Sequence, residues 1–366
     1  MHLLWVSLFA AASALAAAQS TAPSTAPVPA VWLMQDSGTT AGLRGIDSVD
    51  GIVAWASGTG GTVLRTIDGG AHWLKCAVPD GDKEGASLDF RGVQAWDAKT
   101  AIVMASGAGE KSRLYKTTDG CQTWVLVFKN PDAREGFFDC FWLSPQYNDG
   151  MLLGDPVKDK FSIFETEDGG RTWKRDIRLG LRVKGKSLAA FAASNGLFPQ
   201  RRTGYMRGFV TGGQAGAFLF NRWATIDWIK SEIPVASGAE SAGAFSLGYR
   251  FTRPRCTDCE NPSNYFLVAV GGDYTKPMEG AATAAWSTDL GQHWAAAAKP
   301  PHGYRSTVQW SDTLKAWITA GTNGSDISRD DGKTWAPLDN GNWNALSLPF
   351  LVGPNGRIAE LNAAAF

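Results

Sequence analysis

The chain has 366 residues, of which 44% are hydrophobic and only 19% are charged, and it contains 42 glycines and 16 tryptophans. This composition is typical of short buried strands joined by tight turns, and it argues against a mainly helical protein. Lysine plus arginine and aspartate plus glutamate both number 35, so the chain has no overall positive field that would recruit nucleic acid or anionic lipid.

The first 30 residues have the features of an export signal followed by a linker. Residues 1–18 contain an apolar, alanine-rich run that ends in small residues, which predicts a cleaved signal peptide; an uncleaved anchor is the alternative. No cysteine directly follows the run, so we expect no lipid anchor. Residues 19–30 are rich in Pro, Ser and Thr, which is typical of a linker. We therefore expect a periplasmic or secreted protein whose folded domain spans residues 31–366.

An eight-residue pattern occurs five times along the chain. It consists of Ser or Thr, any residue, Asp, any residue, usually Gly, any residue, Thr or His, and Trp. Its aspartates are Asp68, Asp119, Asp168, Asp289 and Asp330, and its tryptophans are Trp73, Trp124, Trp173, Trp294 and Trp335. The carboxylate can accept backbone N–H groups and close a turn, the glycine supplies a positive φ, and the tryptophan gives the next strand a large apolar side chain. The pattern predicts structural turns, which we call box turns.

The pattern resembles the Asp box, or BNR repeat, of sialidase-like β-propellers. A degenerate sixth copy around Trp228 fills the double-length gap between Trp173 and Trp294. The segment around Trp32 resembles an outer strand without a box, and residues 344–361 resemble inner strands without one. We therefore predict an all-β, seven-bladed propeller of four-stranded antiparallel blades, with about 48 residues per blade. The N-terminal strand is expected to close the ring by pairing with the C-terminal blade.

Each predicted blade starts with an inner strand that lines the central channel. These strands begin near Leu43, Asp89, Gly136, Ser187, Ala242, Tyr304 and Asn344. In a four-stranded blade, the loop that enters the inner strand and the loop between the second and third strands lie on one face. The box turns lie on the opposite face, so the box residues are expected to be far from any site at the channel mouth.

Polar residues converge on this predicted mouth. Inner-strand starts supply Arg44, Arg91 and Arg305, and second-strand ends supply Asp155, Asp273, Tyr274 and Asn323, with Asn195 as a further neighbour. Three guanidiniums would bind carboxylate, sulfate or phosphate groups, because arginine presents a planar fork of donors. The alternative is that Arg44 and Arg91 pair with Asp155 and Asp273 and only neutralise a narrow channel.

The five cysteines suggest one crosslink between blades. Cys76 follows the first box and Cys121 lies inside the second, so a disulfide between them would join the first two blades. Cys256 and Cys259 lie in a polar insertion that either carries a short disulfide or supplies half of a metal site, but no second CxxC completes a zinc set. Cys140 lies in an apolar run and is expected to be a buried free thiol. We predict no metal and no cofactor.

Residues 90–93 (FRGV), 55–70 and 352–361 resemble the photosystem II stability/assembly factor-like family, and the resemblance extends over essentially the whole mature chain. The resemblance implies a seven-bladed propeller that acts as a non-catalytic assembly factor. It also implies that an arginine-bearing surface holds a membrane-protein partner, with Arg44 and Arg91 at the matching Arg-Gly steps. On this interpretation the chain is a monomer that binds a protein partner and no nucleic acid.

A second interpretation is a sialidase-like glycoside hydrolase or lyase that acts on an anionic sugar at the same mouth. Sialidases use an arginine triad, a tyrosine nucleophile and an aspartate, and Tyr274, Asp155 and Asp273 would then be the catalytic residues. The Arg-Ile-Pro motif of sialidases is absent, and no glutamate at a strand end is placed to activate Tyr274. A phenol without such a base stays protonated near neutral pH. The non-catalytic role is therefore our prediction.

Overall fold

The computed structural model describes residues 30–81, 84–144, 148–178, 181–183, 187–199, 207–222, 227–252 and 264–366. The predicted signal peptide and residues 19–29 of the linker lie outside this part of the chain. The described residues form antiparallel strands joined by short turns, with single-turn 3-10 helices at Gly85–Ser87, Gly109–Lys111 and Ala363–Ala365. Among them, no helix has the length and apolar character that a membrane crossing requires.

The strands are grouped in blades as follows. The chain begins with β1 (Trp32–Gln35), which belongs to blade 7. Blade 1 contains β2 (Leu43–Ser48), β3 (Ala54–Gly58), β4 (Val63–Thr66) and β5 (Leu74–Lys75); blade 2 contains β6 (Phe90–Ala95), β7 (Ala101–Ala105), β8 (Arg113–Thr117) and β9 (Val125–Lys129). Blade 3 contains β10 (Phe138–Leu143), β11 (Gly150–Val157), β12 (Lys160–Thr166) and β13 (Lys174–Arg175); blade 4 contains β14 (Gly208–Val210), β15 (Phe218–Asn221) and β16 (Ile229–Glu232). Blade 5 contains β17 (Ala242–Thr252), β18 (Asn264–Asp273), β19 (Ala284–Ser287) and β20 (Ala295–Ala296); blade 6 contains β21 (Thr307–Ser311), β22 (Ala316–Gly321), β23 (Gly324–Ser328) and β24 (Ala336–Asp339); blade 7 adds β25 (Ala345–Ser347), β26 (Phe350–Val352) and β27 (Ile358–Leu361).

These sheets form a seven-bladed β-propeller, as the repeat predicted. In blades 1 to 6 the strands pair in sequence order, each antiparallel to the next. In blade 7 the order is β1, β27, β26, β25, with Trp32 opposite Leu361 and Gln35 opposite Ile358. The predicted ring closure, in which the N-terminal strand completes the C-terminal blade, is confirmed.

The hydrophobic core lies between neighbouring blades. Trp55 of blade 1 is fully buried with Phe90 and Tyr115 of blade 2. At the seam of the ring, the box tryptophan Trp73 packs edge-on against Phe350 of blade 7, with 5.8 Å between ring centroids. Full burial of one large apolar side chain contributes roughly 1.5–3 kcal/mol, so the blade interfaces hold the ring together.

In blade 4 the described residues form three strands, one fewer than predicted for each blade. Residues 187–199 were expected to start with an inner strand, but the described residues there form no strand and meet β14 and the turn after it only at isolated points, such as the bridge between Ala189 and Gly212. Gly212 also bridges to Gly243 of blade 5, and a Cβ on Gly212 would lie only 2.5 Å from the Gly243 Cα atom. This close backbone contact brings the end of β14 next to blade 5.

The box turns have the geometry that their sequence predicts. In blade 3, Asp168 Oδ1 accepts the N–H groups of Arg171 and Thr172, both at 2.9 Å, and Oδ2 accepts the Thr172 hydroxyl at 2.6 Å. Partial burial opposes ionisation, but these hydrogen bonds outweigh it and lower the pKa of Asp168 to about 2. Among the box tryptophans, Trp335 is buried and the other four are partly buried. Trp228 directly precedes β16, as the box tryptophans precede the other outer strands.

We expect Asp168→Ala to lower the free energy of unfolding by about 1 kcal/mol at pH 7, because the turn loses its acceptor while remaining open to solvent. The lowered pKa means that this contribution is present above about pH 4 and is lost as the pH falls toward 2. Urea unfolding of both proteins at pH 7 and pH 2.5 would measure the difference. Asp168→Asn, which keeps one acceptor oxygen, is the control and should lie between them; equal stability of all three would contradict the turn assignment.

Candidate functional site

The channel mouth is the end of the ring opposite the box turns. In three box turns the residue directly after the aspartate donates its N–H to the hairpin between the first and second strands: Gly69 to the Ile52 carbonyl, Gly120 to Lys99 and Gly169 to Asn148. These hairpins and the boxes therefore share one face. The loops that enter the inner strands lie on the other face, which places the box carboxylates far from the mouth.

Four inner strands carry a β-bulge near the mouth, in blades 1, 2, 3 and 5. The ladder skips one residue in each, and the residues skipped are Arg44, Arg91, Asp139 and Phe245. A bulge leaves one residue unpaired and redirects its side chain, and such bulges occur often beside functional sites. The Arg-Gly step of blades 1 and 2 thus has structural equivalents in blades 3 and 5 that the sequence analysis missed. In blades 1, 2 and 3 the skipped residue is the second residue of its inner strand.

Arg44 and Arg91 share one carboxylate, and we call them together with Asp89 the arginine cluster. Arg91 Nε donates to Asp89 Oδ2 at 2.8 Å, and Arg44 Nε lies 3.2 Å from Asp89 Oδ1. The two arginine side chains remain 34% and 29% exposed. Burial lowers the pKa of Arg44, an effect that Asp89 opposes and Arg91 reinforces. Two guanidiniums facing one carboxylate leave an excess positive charge at the mouth.

The partner of the arginines differs from the one considered in the sequence analysis. Asp89, which directly precedes β6, bridges them, whereas Asp155 accepts the Ala190 N–H at 3.1 Å. Asp273 Oδ1 accepts the N–H and the hydroxyl of Thr275, at 3.0 and 2.7 Å. Burial raises the pKa of Asp273, but these hydrogen bonds outweigh it, so the pKa is lower than the ordinary value. Asp155 and Asp273 therefore do not pair with Arg44 and Arg91.

Arg305 does not share the exposed mouth, contrary to expectation. Its side chain is fully buried, and its Nε atom donates to Asp326 Oδ2 at 2.7 Å. Its Nη1 atom donates to the Tyr304 carbonyl and to Asn323 Oδ1. Burial lowers the pKa of Arg305, and Asp326 opposes this. The reason is that β23 places a buried carboxylate where the other third strands carry apolar residues, and this carboxylate draws the guanidinium inward with Asn323.

Residues 189–197 of blade 4 lie across the central channel, and we call them the channel plug. They contact four other blades through hydrogen bonds: Arg91 Nη1 to the Ala192 carbonyl (3.4 Å), the Phe141 N–H to Asn195 Oδ1 (2.9 Å), the Leu247 N–H to the Gly196 carbonyl (2.9 Å) and Ser194 Oγ to the Ser306 carbonyl (2.7 Å). Asn195, which the sequence analysis placed near the mouth, therefore lies in this plug. The mouth has a floor, so a ligand would rest on the plug.

A buried acid, Asp139, and a partly buried acid, Asp155, lie beneath the mouth. Asp139 is fully buried, and its Oδ2 atom has no hydrogen-bond partner among the described residues. Burial raises its pKa well above the ordinary value, Asp155 raises it further, and Arg91 opposes the shift. Burial also raises the pKa of Asp155 to about 6, against the hydrogen bond from Ala190. Both carboxyls are thus costly to ionise in the folded protein.

Tyr274 lies at the rim of the mouth, beside blade 5. Its side chain is 51% exposed and packs edge-on against Phe245, with ring centroids 6.2 Å apart. Because Arg305 is buried, the three arginines do not form the triad that a sialidase-like site requires. The arrangement offers two partly exposed guanidiniums and an aromatic surface, which suits binding of an anionic group.

The cysteines and metal-binding residue types are placed as follows. Cys76 and Cys121 form a disulfide between blades 1 and 2, with 5.4 Å between their Cα atoms, and Cys140 is a buried free thiol. Cys256 and Cys259 lie outside the described residues. Across the part of the chain that the structure describes, no group of three His, Cys, Asp or Glu side chains could hold a metal ion.

Comparisons with known proteins indicate both fold and relatives. No protein-family model matches the chain. The photosystem II assembly lipoprotein Ycf48 of Synechococcus sp. (strain CC9902) is 22% identical over 310 residues, which cover 83% of this chain and 77% of that protein. A structure of YCF48 bound to D1 peptide matches with a TM-score of 0.57 and 17% identity, over 91% of this chain and 99% of that one. YCF48 from Cyanidioschyzon merolae matches with a TM-score of 0.57 and 20% identity, over 92% and 100% of the two chains. The comparisons thus confirm the resemblance of this propeller to photosystem II assembly factors.

Proposed function

We propose that this chain is an exported, non-catalytic β-propeller that binds a protein partner through the arginine cluster, as an assembly factor does. The observation that carries the proposal is that Arg44 and Arg91 are about one-third exposed at the mouth and share a single carboxylate. The Ycf48 relative is a photosystem II assembly lipoprotein, and one similar structure holds a D1 peptide. Both support a protein as the partner, and a membrane-protein client fits such a role. The chain would act as a monomer.

The chemistry of the cluster favours a carboxylate of the partner. Among the described residues, the Nη atoms of Arg44 have no hydrogen-bond partner, and Arg91 uses Nη1 for the Ala192 carbonyl. A partner carboxylate can accept the remaining N–H groups in the fork geometry that arginine offers. It would also neutralise the excess positive charge. Partial burial strengthens such a pair relative to one in bulk water.

Export is supported by two features of the chain. The apolar run in residues 1–18 has the character of a signal peptide. The disulfide between Cys76 and Cys121 suits an oxidising compartment, because structural disulfides are rare where thiols are kept reduced. A periplasmic or secreted location follows from these features.

A pull-down from detergent-solubilised envelope of the source cells tests the role of the cluster. We expect the purified wild-type chain to capture a protein that Arg44→Glu/Arg91→Glu does not capture, because the variant reverses the charge of both donors. The milder Arg44→Gln/Arg91→Gln variant should lose most of the capture. It guards against misfolding, since it adds no negative charge beside Asp89.

Lys75→Glu/Lys174→Glu is the matched control for the pull-down. Both lysines are exposed on outer strands, and the variant carries the same change in net charge away from the mouth. Capture should be retained in this control, and circular dichroism should be the same for all variants. Capture that survives both arginine variants would place the binding surface elsewhere and refute the proposal.

A further inference from the structure

The mouth carries an aromatic surface next to the arginine cluster. Phe245, the bulge residue of blade 5, stacks on Phe191 of the channel plug, with centroids 3.9 Å apart and planes 12° apart. Tyr274 and the buried Tyr304 present their rings edge-on to Phe245, at 6.2 and 4.9 Å. Phe245 is buried, whereas Phe191 is partly exposed and Tyr274 is 51% exposed. We call Phe191, Phe245 and Tyr274 the aromatic ledge.

The aromatic ledge is continuous with the arginine cluster. Arg91 donates to the carbonyl of Ala192, the residue that directly follows Phe191. The Arg91 guanidinium also lies 5.9 Å from the ring centroid of the partly exposed Phe137. Ala192 of the channel plug therefore contacts Arg91, the cation that would hold a carboxylate, and is the chain neighbour of Phe191, the first ring of the ledge. A short peptide can touch both, since each extended residue spans roughly 3.3 Å.

The ledge is built as a rigid surface with one exposed ring. The stack of Phe245 and Phe191 fixes its base, and Tyr304 supports that base from within the core. Rigid aromatic side chains provide large contact area at low cost in conformational entropy. Aromatic rings prefer edge-on or offset contact with other aromatic rings, an added attraction beyond burial of area. An aromatic side chain of a ligand is therefore the best match for the exposed face of Tyr274.

We propose that the mouth recognises an acidic peptide segment that carries an aromatic side chain within a few residues of its carboxylate. The carboxylate binds Arg44 and Arg91, and the aromatic side chain packs on the ledge at Tyr274. The excess positive charge of the cluster selects the acidic group, and the adjoining ledge selects its neighbour. This inference rests on the proposed function, because it describes the partner's chemistry at the same site.

Fluorescence anisotropy with labelled synthetic peptides tests the inference. Each peptide has one glutamate in a Gly/Ser background and a phenylalanine one, two, three or four positions away, and a matched series has alanine there. Every peptide is made with a free and with an amidated C-terminus, which distinguishes a terminal carboxylate from that of a side chain. We expect the best phenylalanine peptide to bind wild-type protein about tenfold more tightly than its alanine match.

The variants locate the source of that advantage. Tyr274→Ala should reduce the phenylalanine advantage to twofold or less, whereas the alanine peptide, which has no ring to pack on the ledge, should keep its affinity within twofold. Arg44→Gln/Arg91→Gln should weaken both peptides together. Ile177→Ala is the control, because it removes an apolar side chain that is 83% exposed and not part of the mouth. This variant should leave every affinity as in the wild type.

The outcomes separate the inference from the proposed function. If wild-type protein binds the phenylalanine and alanine peptides equally, and both bindings need the arginines, the ledge has no role and the arginine cluster remains the binding site. A phenylalanine advantage that survives Tyr274→Ala also overturns the inference. If no peptide binds wild-type protein, both the ledge and the binding role of the cluster fail.

Discussion

Reduction of the disulfide between Cys76 and Cys121 is expected to lower the free energy of unfolding by about 4 kcal/mol. The bond closes a loop of 45 residues, and the chain-entropy model gives a loss of this order for such a loop. It also ties the outer edge of blade 1 to the box turn of blade 2, where the Ala77 N–H donates to the Cys121 carbonyl. Urea unfolding followed by tryptophan fluorescence, with and without dithiothreitol, would measure the loss.

The double variant Cys76→Ala/Cys121→Ala is the control for this effect. Without reductant it should be as unstable as the reduced wild type, and dithiothreitol should not destabilise it further. A further loss in the variant would show that another cystine contributes. Equal stability of oxidised and reduced wild type would contradict the crosslink between the first two blades.

Asp155→Asn is expected to stabilise the protein at pH 8 by about 2–3 kcal/mol. Burial raises the pKa of Asp155 to about 6 in the folded chain, against an ordinary value near 3.9. Each pKa unit corresponds to about 1.4 kcal/mol, so the folded state is penalised when the carboxyl ionises. Asparagine keeps an oxygen that can accept the Ala190 N–H and carries no charge. Chemical unfolding at pH 8 would show the gain.

The stability gain expected for Asp155→Asn depends on pH, and its direction follows from the raised pKa of Asp155. A raised folded-state pKa means that the wild type has its full relative stability below about pH 4 and loses it as the pH rises through 6. The advantage of Asp155→Asn should therefore shrink on acidification and vanish near pH 4. Asp273→Asn is the control, because the pKa of Asp273 is lowered, and its neutralisation should bring no gain. An Asp155→Asn variant no more stable than wild type at pH 8 would refute the prediction.

Disulfide reduction and Asp155→Asn affect different parts of the propeller. The disulfide joins neighbouring blades at the rim, whereas Asp155 holds the channel plug from blade 3. Phe141 of blade 3 and Leu247 of blade 5 also donate backbone N–H groups to the plug. Stability gained at Asp155 would thus strengthen the floor on which the proposed ligand rests. Chemical unfolding of Asp155→Asn would therefore also measure how strongly the channel plug is held beneath the mouth.

The sequence by itself determined the ring and the position of its mouth. Box turns depend on residues that are contiguous in the chain, such as Asp168 and Thr172, and their spacing sets the number of blades. The unpaired segment around Trp32 and the boxless end of the chain determined the closure. Strand order then placed Arg44 and Arg91 on the face opposite the boxes. Local turn chemistry and a regular period were sufficient for all of this.

Only the tertiary structure decided which side chains meet at the mouth. Asp89 bridges the arginines, and Asp326 draws Arg305 into the interior, because ion pairs form between groups that the ring brings together from separate strands. One-residue bulges align Asp139 and Phe245 with the Arg-Gly steps, and a shift of one residue reverses the side to which a strand residue points. The channel plug meets β14 only at isolated points, because Gly212 bridges both to Ala189 of the plug and to Gly243 of the next blade. These contacts are nonlocal, so no local pattern encodes them.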